Sequence, residues 1–287
     1  MKNKNPVFAR MDSGESGFAY AEGKSAYRSA GQQQPGQQAP IGYPPVPTGA
    51  PTGSMYEPVT DRMTLDDVIM RTGISLAVLL PGAYIGWVLA PSNPWLFLVA
   101  MLVGLGLAMA NIFKKAVSPP LVLAYAGVQG VFLGAISWFY SDWAASTGYA
   151  GNLVSQAVIG TLVAFTMMLI LYRTKIVKVN GRFMKVMMVA MASYLVIALA
   201  SFVSAMFGVG DGWGFYGVGG LGLLLCVVGV GLASFSLMID FESITRGVQA
   251  GLPSQEAWRM TFGLLVTLIW LYLEILRLLA LLAAGRD

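Results

Sequence analysis

The chain has 287 residues, 56% of them hydrophobic and only 11% charged, with a formal net charge of +4. Soluble domains carry about 25% charged residues, so this composition excludes an ordinary soluble domain and indicates a membrane protein. There is no histidine and a single cysteine, Cys226, which removes Ser-His-Asp and Cys-His catalysis, His-ligated zinc, the usual histidine pH switch and an internal disulfide.

The first 60 residues are rich in Gly, Pro, Gln, Ser and Ala, as in SAGQQQPGQQAPIGYPPVPTGAPTGS. Such a composition cannot bury a core, and the expectation is a disordered tail, with the membrane domain occupying residues 61–287. The start, MKNKNPVFARMDSG, lacks an apolar stretch and is not expected to act as a cleavable signal. Order is predicted from Thr64. Thr64, Leu65, Asp66 and Asp67 form a capping-box pattern, with Met63 and Val68 placed as a hydrophobic staple.

Seven apolar spans follow, at about Val68–Ala90, Trp95–Phe113, Pro120–Tyr140, Leu153–Tyr172, Phe183–Phe207, Gly217–Asp240 and Met260–Ala284. The connections alternate in charge. Arg62 and Arg71, Lys114 and Lys115, the group from Arg173 to Lys185, and Arg246 with Arg259 fall on one side. The other connections carry no Lys or Arg. The positive-inside rule then predicts a cytoplasmic N-terminus and an external C-terminus, and explains the basic residues without nucleic acid. Trp95, Trp138, Trp143, Trp213 and Tyr216 fall at the opposite ends, as an aromatic belt would. Ala126, Gly130 and Gly134 in span three, and Gly222, Cys226, Gly229 and Ala233 in span six, are seams of small residues suited to close helix packing.

The most informative residue is Glu274, inside the last span. A carboxylate near the centre of a membrane helix costs roughly 2.5–3.5 kcal/mol on insertion scales, and such a residue is a functional candidate with a partner to be found. Arg277, three residues on, is one partner, and would make the acid structural. Asp240, at the end of span six, is another. Two carboxylates sharing a low-dielectric site titrate as a unit and supply oxygen ligands for a hard cation such as Ca²⁺. Depth opposes this pairing, because Glu274 lies about 22 Å of helix beyond Arg259. Glu242 reads as a loop acid and a lesser alternative to Asp240, and Gln129 as interhelical glue or a secondary polar ligand. Gly208-Val209-Gly210-Asp211 spells GxGD, a pattern of intramembrane aspartyl proteases, but in a glycine-rich loop. No nucleophile–base pair is visible, and an enzyme is not expected.

Four elements resemble, in order, the Bax inhibitor-1/YccA family, or transmembrane Bax inhibitor motif proteins. LYLEILRLLALL resembles the LYLDIINLFLxLL signature, with Glu274 at the acidic position. MIDFESI is similar to the YDxxxI element, with Asp240 at the acid and Ile244 four residues later. QGVFLGAIS resembles EGLxLGxIS, with Gln129 in place of Glu, and FKKAVSPP resembles the basic turn between helices two and three. The resemblance covers about residues 65–284, and the tail is similar to that of a bacterial branch. It implies an all-α bundle of seven transmembrane helices with the last one central and six around it, in a bacterial inner membrane. It also implies a pH-sensitive calcium leak, with Asp240 and Glu274 as sensor and latch and Lys114, Lys115 or Arg277 as charge partners. Some bacterial members bind and restrain a membrane protease, so a non-conducting regulator of another membrane protein is the alternative.

Overall fold

The computed structural model describes residues 62–114, 116–210, 213–217 and 219–285. The expected tail, Lys115 and Asp211 lie outside the described residues. Seven long helices are present: α1 (Leu65–Leu89), α2 (Leu96–Phe113), α3 (Pro119–Ser146), α4 (Leu153–Arg173), α5 (Gly181–Met206), α6 (Gly220–Gln249) and α7 (Ala257–Ala284). All seven are long and apolar enough to cross a membrane, and there is no strand among the described residues.

The helix starts follow local chemistry. At α1, the Thr64 side chain accepts from the Asp67 N–H at 3.1 Å and Asp67 Oδ2 accepts from the Thr64 N–H at 2.9 Å, completing the capping box. The staple residues Met63 and Val68 are both buried, against Ile244 and Ala257. Asn152 and Asn180 cap α4 and α5 by accepting from the N–H groups of Ser155 and Phe183.

The last helix is the central one. Its apolar residues are buried along most of its length, whereas α2 and α4 bury little and expose their aliphatic side chains. α7 packs directly on α1, α3, α4 and α6, while α2 rests on α3, and α5 rests on α6 and the turn Gly214–Tyr216. The most extensive pair is α1 with α3. There Gly82 and Gly86 of α1 face Gly127 and Val131, and Gly130 and Gly134 of α3 face the Leu79 and Ala83 carbonyls, at separations that leave no room for a Cβ.

Two sequence expectations need correction. Span six does not stop at Asp240. α6 runs on to Gln249 because nothing in DFESITRGVQ breaks a helix, and it ends where Gly251 takes a positive φ of 63°. The Leu252 and Gly251 N–H groups bond back to the Gly247 and Val248 carbonyls, a Schellman closure. Glu242 is therefore a helical residue, not a loop acid. Its carboxylate accepts from Arg246 at 2.7 Å and from the Tyr172 hydroxyl at 3.0 Å. Two of the aromatic residues expected in a belt, Trp143 and Trp213, also meet each other. They pack on each other with centroids 5.3 Å apart, beside Phe139 and Tyr140.

The segment joining α6 to α7 is tied to the start of α1. The Met63 N–H donates to the Leu252 carbonyl at 2.7 Å, Arg71 donates to the Ser254 carbonyl, and the Arg71 guanidinium sits over the Trp258 ring. This places the basic ends of α1, α6 and α7 together.

Substituting Gly130 or Gly134 with Ala should lower the thermal stability of the detergent-solubilised protein by the equivalent of roughly 1–3 kcal/mol, the usual cost of overpacking. Gly106→Ala, with nothing within 4 Å of the added carbon, should be neutral. Thermal unfolding followed by size exclusion checks this, and equal effects at all three positions would contradict the seam.

Candidate functional site

Glu274 is buried on α7, 8% exposed, and its partners are neutral. Its Oε1 accepts a hydrogen bond from the Tyr194 hydroxyl of α5 at 2.7 Å and another from the Trp270 indole N–H at 3.0 Å. Trp270 is one turn back on the same helix, so helical geometry brings it to Glu274. The other oxygen, Oε2, is buried and has no hydrogen-bond partner. It faces α6 at Gly229, where an added methyl would fall 2.6 Å from both Glu274 Cδ and Oε2 and would also strike the Tyr194 hydroxyl. Gly229 is thus the gap in α6 that admits the acid.

Asp240 is one face of the same interface at another level. It is partly buried, and its Oδ2 has no hydrogen-bond partner. Its Oδ1 lies 3.8 Å from where a Gly263 Cβ would stand on α7. The Thr267 hydroxyl lies within reach of the Asp240 carboxyl and also donates to the Gly263 carbonyl at 3.2 Å. In this antiparallel pair Gly229 is level with Glu274 and Asp240 is level with Gly263. Each interval is eleven residues, or about 16 Å at 1.5 Å per residue. The two acids are therefore not brought into one site, and the expected shared ion or proton between them is not assembled. The physical reason is the register: with Gly229 opposite Glu274 and Gly263 opposite Asp240, the acids stay as far apart as their sequence positions require.

Arg277 does not hold Glu274 either. No ion pair joins them among the described residues. Arg277 Nη2 donates to the Tyr216 carbonyl at 2.7 Å, its guanidinium sits 4.1 Å from the centroid of the Tyr216 ring, and its Nε is buried without an acceptor. The turn carrying Tyr216 folds back against α5, where the Phe215 N–H donates to Ser201 Oγ at 3.0 Å. Gly214 has a φ of 63° and approaches the Ser201 carbonyl too closely for any side chain. Burial raises the Tyr216 phenol above its ordinary value, so it stays a neutral group over the guanidinium.

The chain matches the family model described as Bax inhibitor 1 like over residues 5–284. It belongs to the Bax inhibitor 1 like family. No curated protein matches it.

For this member of the family, neither Lys114 nor Gln129 makes a hydrogen bond or ion pair with either acid among the described residues. Lys114 is exposed at the end of α2 and shares a small cleft with Arg259 and Phe262. Lys115 lies outside the described residues. Gln129 faces α2, where its amide packs against Gly104, and its Oε1 is buried without a partner. Among the described residues no three His, Cys, Asp or Glu side chains gather into a site able to hold a metal ion. Any cation met by Asp240 or Glu274 would take most of its ligands from water or backbone.

Sequence reasoning missed Tyr194, Trp270, Gly229 and Tyr216. Trp270 was open to discovery, four residues before Glu274. Gly229 was seen as packing, but its partner was not. Tyr194 and Tyr216 come from elsewhere in the chain, and no spacing signals them.

A double-mutant cycle separates the two claims on Glu274. Tyr194→Phe combined with Glu274→Gln should show a coupling of about 1–3 kcal/mol in reversible unfolding, as bonded buried pairs do. Arg277→Gln combined with Glu274→Gln should show less. The reverse order would return Glu274 to Arg277.

Proposed function

We propose that this protein is a pH-sensitive cation leak, with Ca²⁺ as the expected ion, in which Asp240 of α6 and Glu274 of α7 act as two separate stations along the α6–α7 interface. The observation that carries the reading is a buried carboxylate oxygen without a donor at each of two levels of the α6–α7 interface, Asp240 Oδ2 on α6 and Glu274 Oε2 on α7. Buried acids inside membrane spans mark ion or proton pathways more often than they serve packing. The absence of histidine leaves carboxylates as the groups able to titrate near neutral pH. Membership of the Bax inhibitor 1 like family supports the same reading. Single carboxylates, unlike a cage of three or more, bind a hard cation weakly, which suits passage rather than storage.

In this proposal the basic ends of the helices face the cytoplasm of a bacterial cell, the C-terminus lies outside, and no catalytic step is assigned. Asp240 lies towards the basic end and meets the ion there. Glu274 lies deeper, where Tyr194 and Trp270 orient it. Deprotonation makes each station a cation site, so conduction rises with pH and falls as the acids are protonated.

Ca²⁺ flux into liposomes containing the purified protein tests this. Flux should increase from acidic to alkaline pH. Glu274→Gln or Asp240→Asn alone should each lower the alkaline flux by about tenfold, corresponding to about 1.4 kcal/mol of lost cation stabilisation. The double variant should lose the pH dependence. Unchanged pH-dependent flux in the double variant sinks the proposal. No flux at any pH, with a membrane protease co-purifying, would favour a non-conducting regulator.

A further inference from the structure

A cavity of about 740 Å³ lies between α5 and α7, beneath the Gly214–Tyr216 turn. It exists because α5 packs on α6 and on this turn but stands off the central helix. Its volume falls within the range of small-ligand sites, roughly 300–1,000 Å³. The α5 wall is apolar, with Met191, Leu195, Ala198 and Phe202 along it. Leu195 and Phe202 are 59% and 56% exposed, so the cavity is reached from the side that faces lipid.

Arg277 supplies the charge at the opposite wall. It is a guanidinium inside a membrane span with no ion pair among the described residues and a buried Nε lacking an acceptor. An uncompensated cation at this position is expensive. Glu274, the nearest acid on the same helix, also lines the cavity, but it makes no ion pair with Arg277: its Oε1 is held by Tyr194 and Trp270 and its Oε2 is turned to Gly229. The guanidinium thus faces the cavity without a direct counter-ion, beside a long apolar wall, and an anionic head binds there while Glu274 is protonated.

We propose that this cavity binds a single anionic amphiphile, with its carboxylate or phosphate head on Arg277 and its alkyl chain along the inner face of α5. A guanidinium takes either head through paired N–H donors, and the chain replaces lipid contact on Leu195 and Phe202. The head group is the discriminating element. A neutral alcohol of the same chain length leaves Arg277 without its anion and binds more weakly. The site does not depend on cation conduction, and it stands even if the protein passes no ions.

The test uses the full chain in a neutral detergent, with dibrominated stearate as the probe, because bromine quenches tryptophans it touches and Trp213 and Trp270 line the cavity. Quenching should saturate, and the corresponding dibrominated alcohol should require a higher concentration. Arg277→Gln should weaken the stearate response by about tenfold, as expected when a charge-assisted hydrogen bond is lost. Because that variant also releases the Tyr216 turn, Ala198→Trp provides a second check. Its indole obstructs the alkyl path along α5 while leaving Arg277 in place, and should weaken the stearate response in protein that elutes as native. Dibrominated phosphatidylglycerol tested in parallel identifies the source. Saturation by the phospholipid means a membrane lipid, and saturation by stearate alone means a free fatty acid. Quenching that never saturates, that is equal for the alcohol, or that is unchanged in both variants overturns the proposal.

Discussion

The close approach of α6 to α7 is the constraint on which the rest of the site depends. Gly229 leaves a gap just large enough for the Glu274 carboxylate, and the helix on the other side of that gap is the centre of the bundle. Any side chain at Gly229 would meet both the acid and the Tyr194 hydroxyl that holds it. The same register sets Asp240 opposite Gly263, so one packing solution fixes the depth of both acids. The small-residue seam of α1 and α3 completes the arrangement from the other side, because it allows the two helices to lie close together against α7.

This arrangement handles buried charge by separation. Glu274 is held by neutral donors, Tyr194 and Trp270, and Arg277 by a backbone carbonyl and an aromatic face. Hydrogen bonds to an ionised group are stronger than neutral ones, and so offset part of the cost of burial. Each group still keeps one buried polar atom without a partner. Fully satisfied, the two would be inert packing elements. Left partly unsatisfied, they are the atoms on which the two proposals rest, a cation or proton at the acids and an anion at the arginine. The turn bearing Tyr216 links these two chemistries, since it anchors Arg277 and closes the end of the cavity beside Glu274.

Much of the fold was legible in the sequence. Seven apolar spans, the capping box at Thr64 and the small-residue seams all appear where local composition and spacing place them, because each depends on residues near in the chain. The end of α6 is not legible from apolarity, because the helix continues through polar residues to the Gly251 closure. Glu274 and Asp240 were identifiable as costly acids in apolar surroundings. Their partners were not, because Tyr194 and Gly229 reach Glu274 through tertiary packing and leave no periodic trace. The depth argument from sequence, that Glu274 and Asp240 lie far apart along the helix axis, anticipates the separation in the structure better than the likeness of their motifs does.

The register of α6 against α7 is the claim from which the two-station reading follows, and oxidative cross-linking measures it directly. With Cys226 replaced by Ala, cysteines introduced at Asp240 and Gly263 should form a disulfide, which needs Cα atoms within about 7 Å. Cysteines at Asp240 and Glu274 should remain unlinked under the same conditions. Efficient cross-linking of positions 240 and 274 in the folded protein would contradict the register and restore a paired acid site.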